Sequence, residues 1–291
     1  LPVGTVPRMP ELPEVESVRR QLEPRLRGRV VERVWFDDHP AHRFHDIHDL
    51  VGRQVDEVAR RGKFIVCPLS PVEAMLGPTS PEVRDDLRLV LHLGMTGSLR
   101  FVDPEAGTDP HVRVQVWLDD DRRMDFRDPR RFGRFSVVAP EDVATTVPTL
   151  ATLGPEPLTD DFTEDAFAST LSATSSPVKA VLLGQRAVAG VGNIYADEAL
   201  WRARIHPASR RVGAERAARL HTAIRAVLAE AIEREGTTFR DYQMINGESG
   251  RNADFLDAYG QEGLPCHRCG TPMRKTILAQ RGTTYCPTCQ H

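Results

Sequence analysis

Four cysteines near the end of the chain place the tightest constraint on what it can fold into. Two Cys-x2-Cys pairs, Cys266/Cys269 and Cys286/Cys289, are separated by sixteen residues. This spacing lets two turns surround one tetrahedral zinc ion with four thiolate ligands and no open position, so the ion would be structural. The alternative is a pair of disulfides in a secreted protein. It is disfavoured because residues 1–8 lack the apolar core of a signal peptide.

Charge is unevenly distributed along the chain. Its 291 residues include 38 Lys and Arg against 41 Asp and Glu, giving a formal net charge of -3. Residues 200–225, however, contain seven arginines and the single acidic residue Glu215. Between the cysteine pairs lie Arg274, Lys275 and Arg281, with no acidic residue. Such segregation favours a phosphate backbone as the partner of the basic segments, although a charge run is more often a solvated face.

The apolar pattern divides the chain into a strand-rich first half and a helical second half. Alternation in the first half favours a β-sandwich or flattened barrel, and after Pro148 the period becomes helical, from Thr163 to Gly236. A Pro- and Ser-rich segment, 70–81, predicts a surface insertion. No apolar stretch is long enough to cross a membrane, so the default location is the cytoplasm. The predicted strands are Val30–Phe36, Lys63–Cys67, Leu87–Leu93, Val112–Leu118 and Phe132–Val138.

The segment Met9-Pro10-Glu11 offers chemistry near the start of the chain. If Met9 is removed, Pro10 becomes a terminal secondary amine with a reference pKa of about 8, and it could attack a sugar carbon to form an iminium. Glu11 could then move protons. The alternative is that proline and glutamate simply begin a helix and complement its dipole.

A glycine turn, Gly190-Val191-Gly192, precedes a second predicted helix. Backbone N–H groups at such a helix start favour phosphate. The alternative is a tight turn that packs two helices, because a lone Gly-x-Gly is a weak signal.

Several motifs in one order give the chain a resemblance to the formamidopyrimidine-DNA glycosylases, bacterial enzymes that excise 8-oxoguanine and ring-opened purines. The match covers nearly the whole chain. The motifs are Pro10–Glu16, Arg61–Lys63, His92–Ser98, Asp128–Gly133, Leu153–Leu158, Gly190–Tyr195 and the four-cysteine finger with Gln280–Arg281.

The resemblance implies an α+β multidomain fold. After an extension or leader over residues 1–9, it places a catalytic β-sandwich domain with an N-terminal helix at 10–147. A helix-two-turn-helix domain follows at 148–246 and a zinc-finger domain at 247–291. The implied protein is a monomer that holds one structural zinc ion and binds damaged double-stranded DNA in the cleft between its halves, in the cytoplasm at the nucleoid.

The resemblance also implies individual roles. Pro10 would be the nucleophile, and Glu11 would protonate the sugar ring oxygen. Excision and strand cleavage by β,δ-elimination would depend on four catalytic residues: Pro10, Glu11, Lys63 and Arg281. Lys63, Asn193 and Arg281 would hold phosphates. Extrusion of the damaged nucleotide requires side chains that fill the vacated space. The implied DNA-binding residues are His111, Arg130, Asn193, Lys179, Met95 and Phe132.

Two departures leave alternatives open. Residues 237–259 match the loop that covers the extruded base, but the sequence around Met244–Gly250 differs from the usual pattern, which puts lesion preference in doubt. If Leu1–Arg8 persist, Pro10 is a peptide-bonded amide and cannot attack; we expect active protein to begin at Pro10. The alternatives are an endonuclease VIII type glycosylase for oxidised pyrimidines, disfavoured by Leu12 where that group has glycine, and a non-catalytic DNA-damage-binding protein.

Overall fold

A computed structural model describes residues 9–37, 39, 41–72, 84, 86–107, 109–237 and 244–291. These residues form two compact units. The N-terminal unit contains Pro10, Glu14–Ala151 and the 244–250 segment; the C-terminal unit contains Glu11–Pro13, Thr152–Thr237 and Arg251–His291. In the described part of the chain, no helix has the length and apolar character needed to span a membrane. The predicted insertion at 70–81 and loop at 237–259 fall partly outside the described residues.

Helix α1 (Leu12–Leu26) buries an apolar stripe in the core of the N-terminal unit from Glu14 onward. Val15, Val18, Leu22 and Leu26 recur at helical spacing and are at most 2% exposed. The described residues that follow form ten strands: β1 (Val31–Phe36), β2 (Phe44–His45), β3 (Arg53–Val55), β4 (Ala59–Arg61), β5 (Phe64–Pro71), β6 (Arg88–His92), β7 (Ser98–Val102), β8 (Val112–Leu118), β9 (Arg123–Arg127) and β10 (Arg134–Val138). Two short helices, α2 (Val143–Thr146) and α3 (Pro148–Ala151), end this part of the chain.

The strands form two sheets that share one core. The first sheet has the order β1-β8-β9-β7, and the second has the order β2-β10-β6-β5-β3 with β4 also paired to β5. Among the described strands of this unit, only the short β2 pairs in parallel, with β10. Inward residues of both sheets, such as Val114, Leu91 and Phe135, join the α1 stripe in a single cluster. The predicted sandwich with an N-terminal helix is confirmed.

The cysteine outside the two Cys-x2-Cys pairs, Cys67, belongs to this core. Cys67 is fully buried, and burial raises the pKa of its thiol to about 12, so it is a core residue without nucleophilic character.

The strand predicted to begin at Phe132 begins instead at Arg134. Arg131 adopts a left-handed φ of 56°, which directs the preceding residues into a turn.

The C-terminal unit contains four helices and one hairpin. Thr163 caps the first helix by accepting a hydrogen bond from the Ala166 amide. The last helix buries Leu220, Ile224 and Leu228 on one face, and Gly236 follows it with a φ of 82°. The elements are α4 (Glu164–Ala173), α5 (Val178–Leu183), α6 (Asn193–Arg202), α7 (Ala214–Glu233), β11 (Arg274–Leu278) and β12 (Arg281–Tyr285).

We predict that Gly97→Ala destabilises the N-terminal unit, whereas Gly107→Ala does not. A Cβ at Gly97 would overlap the Leu93 carbonyl and touch the Phe126 ring, but a Cβ at Gly107 would meet nothing within 4 Å. Overpacking against backbone lowers the free energy of unfolding by about 2 kcal/mol. Urea unfolding of both variants measures the difference. Equal midpoints for the two variants would contradict the tight turn at Gly97.

Candidate functional site

Glu11 is bound to the start of helix α6 within the C-terminal unit. Its carboxylate accepts hydrogen bonds from the amides of Gly192 at 2.7 Å, Ile194 at 2.8 Å and Tyr195 at 3.3 Å. The side chain is 3% exposed. A helix start leaves N–H groups without intrahelical partners and carries positive potential, so three amides compensate the buried negative charge. The preceding residue in the chain, Pro10, is also buried.

The glycine turn before α6 is explained by this close approach. A Cβ at Gly192 would overlap the Glu11 carboxyl group, and one at Gly190 would lie 2.5 Å from Leu12 Cδ1. Leu12 also donates its amide to the Gly190 carbonyl at 3.1 Å. These contacts favour the tight-turn alternative over phosphate binding at the helix-start amides, because the Glu11 carboxylate takes that position.

Lys63 lies in a basic part of the N-terminal unit. It follows Gly62, whose φ of 57° turns the chain between β4 and β5, and its side chain is half-buried. Burial, together with the cations of Lys63, Arg43 and Arg134, lowers the pKa of His92 to about 3. The imidazole is thus neutral at physiological pH and adds no charge of its own to this basic region.

Three residues assigned to base extrusion are brought together by one buried carboxylate. Asp128 is 0% exposed and accepts hydrogen bonds from Thr96 Oγ1 at 2.6 Å and the Gly133 amide at 2.7 Å. It thereby joins the turn that carries Met95 to the turn that carries Arg130 and Phe132. The Arg130 guanidinium lies 4.8 Å from the Phe132 ring centroid.

The exposure of these residues shows which of them lie outside the core. The Phe132 ring is 40% exposed, which a core residue would not be, and Arg130 is also exposed. Met95 is half-buried. His111, a further predicted DNA contact, is half-buried and supports the same turn, since its carbonyl accepts the Asp128 amide at 2.9 Å. Asp128 itself was not singled out by the sequence analysis, although it lies in the motif that was.

In the C-terminal unit, Lys179 is buried rather than presented to a ligand. It is 0% exposed and forms an ion pair with Asp197 at 2.6 Å. Burial raises the pKa of Asp197 to about 6 and lowers that of Lys179, while the mutual attraction opposes both shifts. This geometry does not favour the predicted contact between Lys179 and a phosphate. Nothing in the local sequence indicated Asp197 as a partner.

Arg281 and Asn193 occupy different surroundings. Arg281 is exposed at the first position of β12. Asn193, the first residue of α6, is half-buried and donates Nδ2 to the Gly282 carbonyl at 3.1 Å. Asn193 therefore contacts Gly282, the residue that directly follows Arg281, so the two predicted phosphate ligands lie near each other.

The four cysteines converge at the base of the hairpin. Their Sγ atoms all lie within 4.8 Å of one another. Tetrahedral coordination at a zinc–sulfur distance of about 2.3 Å separates the sulfurs by about 3.8 Å, so the cluster fits such an ion. Trp201 of α6 packs against this cluster and donates Nε1 to Cys266 Sγ at 3.4 Å. The cluster is a metal site tied to α6.

The arginine-rich segment has a mainly structural explanation. Five of its seven arginines bind oxygens of the same unit. Arg202 pairs with Glu230, Arg219 pairs with Glu215, and Arg225 donates to the Pro157 carbonyl at 3.0 Å. The remaining two of those five, Arg210 and Arg216, donate to the Ser175 and His291 carbonyls. The charge run therefore gives little support of its own to DNA binding.

We predict that Asp128→Asn lowers the free energy of unfolding by about 2–3 kcal/mol, because an amide leaves buried donors of two turns poorly paired. Asp120→Asn is the matched control, since Asp120 is a more exposed carboxylate paired with Arg122 and Arg29. Its loss should stay below about 1 kcal/mol. Chemical unfolding measures both, and equal losses would contradict the role assigned to Asp128.

Comparison with known proteins matches three parts of the chain to family models. Residues 9–135 match the formamidopyrimidine-DNA glycosylase N-terminal domain, and residues 153–243 match the formamidopyrimidine-DNA glycosylase H2TH domain. Residues 263–291 match the zinc finger found in FPG and IleRS.

Relatives match over almost the full length. A formamidopyrimidine-DNA glycosylase of Deinococcus radiodurans is 47% identical, covering 97% of each chain. The crystal structure of the MutM (FPG) protein of Thermus thermophilus has a TM-score of 0.84 at 43% identity, covering 97% of this chain and 98% of that one. Wild-type Lactococcus lactis Fpg, in complex with DNA containing N7-benzyl-Fapy-dG, has a TM-score of 0.82 at 32% identity, covering 97% and 100%. The chain belongs to the formamidopyrimidine-DNA glycosylase family.

Proposed function

We propose that this chain is a base-excision repair glycosylase for oxidised purines in duplex DNA, with Pro10 as nucleophile and Glu11 as proton carrier, and that it then cleaves the abasic strand. The observation that carries the proposal is the buried Glu11 carboxylate, held by three amides at the start of α6 immediately after Pro10. The complex of a relative with Fapy-dG DNA supports the substrate class.

The first step is base release. The Pro10 nitrogen, as a free secondary amine, forms a bond to C1′ of the damaged nucleotide while the C1′–base bond breaks, and the base leaves as an anion that takes a proton from water. Glu11 accepts the proton that the nitrogen loses and delivers it to the ring oxygen, so the sugar ring opens and an iminium forms. A carboxylate beside the nascent cation also stabilises it electrostatically.

The second step is strand cleavage. The iminium acidifies the C2′ hydrogens, so loss of one of them expels the 3′ phosphate by β-elimination. Loss of the C4′ hydrogen then expels the 5′ phosphate by δ-elimination, and water hydrolyses the remaining iminium to free Pro10. Proton transfers of this kind require a positioned base, a role that Glu11 in its carboxylate form can fill.

Base access requires extrusion of the nucleotide, and the turns joined by Asp128 suit that task. The exposed Phe132 ring and Met95 can enter the vacated stack as apolar wedges. Arg130 can donate to the orphaned cytosine. Lys63, His111, Asn193 and Arg281 are proposed to bind the flanking phosphates, which orients the duplex without reading its sequence.

We also propose one zinc ion at the four cysteines. Four thiolates leave no position for substrate, so the ion would stabilise the hairpin that carries Arg281 and take no part in the chemistry. With duplex DNA as the substrate, the protein would act as a monomer at the nucleoid in the cytoplasm.

We predict that covalent trapping depends on a free Pro10 amine. Protein beginning at Pro10 should form a borohydride-reducible adduct with a duplex carrying 8-oxoguanine opposite cytosine, because only an amine gives a reducible iminium. Protein retaining Leu1 and a Pro10→Gly variant of the short form are compared with it by gel and intact mass. A full adduct yield from protein whose mass still includes Leu1 would contradict the proposed role of Pro10 as nucleophile.

We predict that Cys269→Ser lowers the zinc content from one ion per chain to near zero and weakens DNA binding about tenfold or more, since structural zinc sites supply folding energy directly. Elemental analysis and a binding titration measure the two effects. Cys67→Ser is the control, because Cys67 lies in the core of the other unit. Full zinc retention by Cys269→Ser would contradict the four-thiolate site.

A further inference from the structure

The ion pair between Lys179 and Asp197 joins three elements of the C-terminal unit. Lys179 lies on α5, Asp197 lies on α6, and both side chains are 0% exposed. The Lys179 ammonium also donates to Thr283 Oγ1 at 2.8 Å and to the Gly282 carbonyl at 3.2 Å, and both of those residues lie on β12. An ammonium has three protons, so every one of them has a partner inside the protein.

The same network extends along the start of β12. Asp197 Oδ2 accepts the Thr284 amide at 2.9 Å, and Thr283 Oγ1 donates to the Arg281 carbonyl at 3.1 Å. Four successive residues, 281–284, are therefore tied to the pair. The Gly282 carbonyl accepts from both Lys179 and Asn193, at 3.2 and 3.1 Å.

The turn immediately before Arg281 needs such support. Ala279 and Gln280 both adopt left-handed φ values, 48° and 59°. Positive φ at both positions is the pattern of a type I′ hairpin turn, which is usually built from Asn and Gly, so the turn is strained here. The network fixes the strand that follows the strained turn and, with it, the base of the exposed Arg281 side chain.

We propose that Lys179 and Asp197 are positioning residues, which hold the start of β12 against the start of α6 so that Arg281 and Asn193 engage the same DNA backbone. This inference rests on the proposed function. It replaces the expectation that Lys179 contacts DNA. The enclosed Lys179 ammonium donates its three protons to protein acceptors, so it has no proton left to donate to a phosphate and no surface that a phosphate could reach. The Arg281 side chain, in contrast, is exposed.

The two main test variants change the network around Lys179 and remove no positive charge. Thr283→Val is nearly isosteric and removes the hydroxyl between Lys179 and the Arg281 carbonyl; Asp197→Asn removes the anion. Both, with Arg281→Gln, are assayed in the full chain for affinity to a product-like duplex with an abasic-site analogue, across a range of salt concentrations. Glu230→Gln is the matched control, because it breaks an ion pair to the other end of α6. Melting temperature and metal content confirm that each variant folds.

Positioning predicts that Thr283→Val and Asp197→Asn each weaken binding about tenfold and flatten the slope of log affinity against log salt by about 0.9, as loss of the single Arg281 contact does. Combined with Arg281→Gln, Thr283→Val then adds nothing further. Glu230→Gln leaves the slope unchanged.

A direct phosphate contact by Lys179 predicts the opposite result. Asp197→Asn would then bind at least as tightly as wild type, Thr283→Val would have no effect, and Lys179→Met in the Arg281→Gln background would flatten the slope by a further 0.9 or so. Any of these outcomes overturns the inference. Wild-type protein beginning at Pro10 is trapped with borohydride in parallel: absence of its adduct refutes the proposed function, whereas a normal adduct with unaffected variants refutes only the positioning role.

Discussion

The capping of helix α6 by Glu11 is the interaction on which the rest of the C-terminal unit depends. Eight of the ten residues of this helix are buried, so water cannot satisfy the N–H groups of its first turn. A side chain some 180 positions earlier in the chain supplies the missing acceptors. Because that side chain neighbours Pro10, the group that stabilises the helix is also the group assigned to proton transfer. Stability and chemistry are therefore not separable at this residue.

Other side chains of α6 bind further parts of the C-terminal unit along the length of the helix. Asp197 binds α5 and β12. Glu198 accepts three amides of the 257–259 segment at 2.7–2.9 Å, and that segment leads into the finger. Trp201 packs on the cysteine cluster, where Arg268 lies 3.8 Å from its ring centroid and donates to its carbonyl at 2.6 Å. One buried helix thus sets the position of the Glu11 carboxylate, the hairpin and the cysteine cluster together.

The sequence predicted what depends on local spacing and missed what depends on distant partners. The strand at Val112–Leu118 was predicted to the residue, since apolar alternation is a local signal. The cysteine cluster was predicted for the same reason. The partners of Glu11 and Lys179 were not, because those contacts join residues 181 and 18 positions apart and are decided by tertiary packing. Gly192 showed that a turn was present, but only the approach of Glu11 explains why no Cβ fits there.

The buried ion pair has a physical reason to be polar rather than apolar. A two-stranded hairpin is only marginally stable alone, so contacts that fix its register add to its stability. A slip of β12 by one residue would bury the exposed Gly282 position and expose Thr283, which is 0% accessible. An apolar contact would tolerate such a slip. The directional bonds from Lys179 and Asp197 to the 282–284 segment would be broken by a slip. The charge pair therefore specifies one register, which is the best-attested role of buried polar groups.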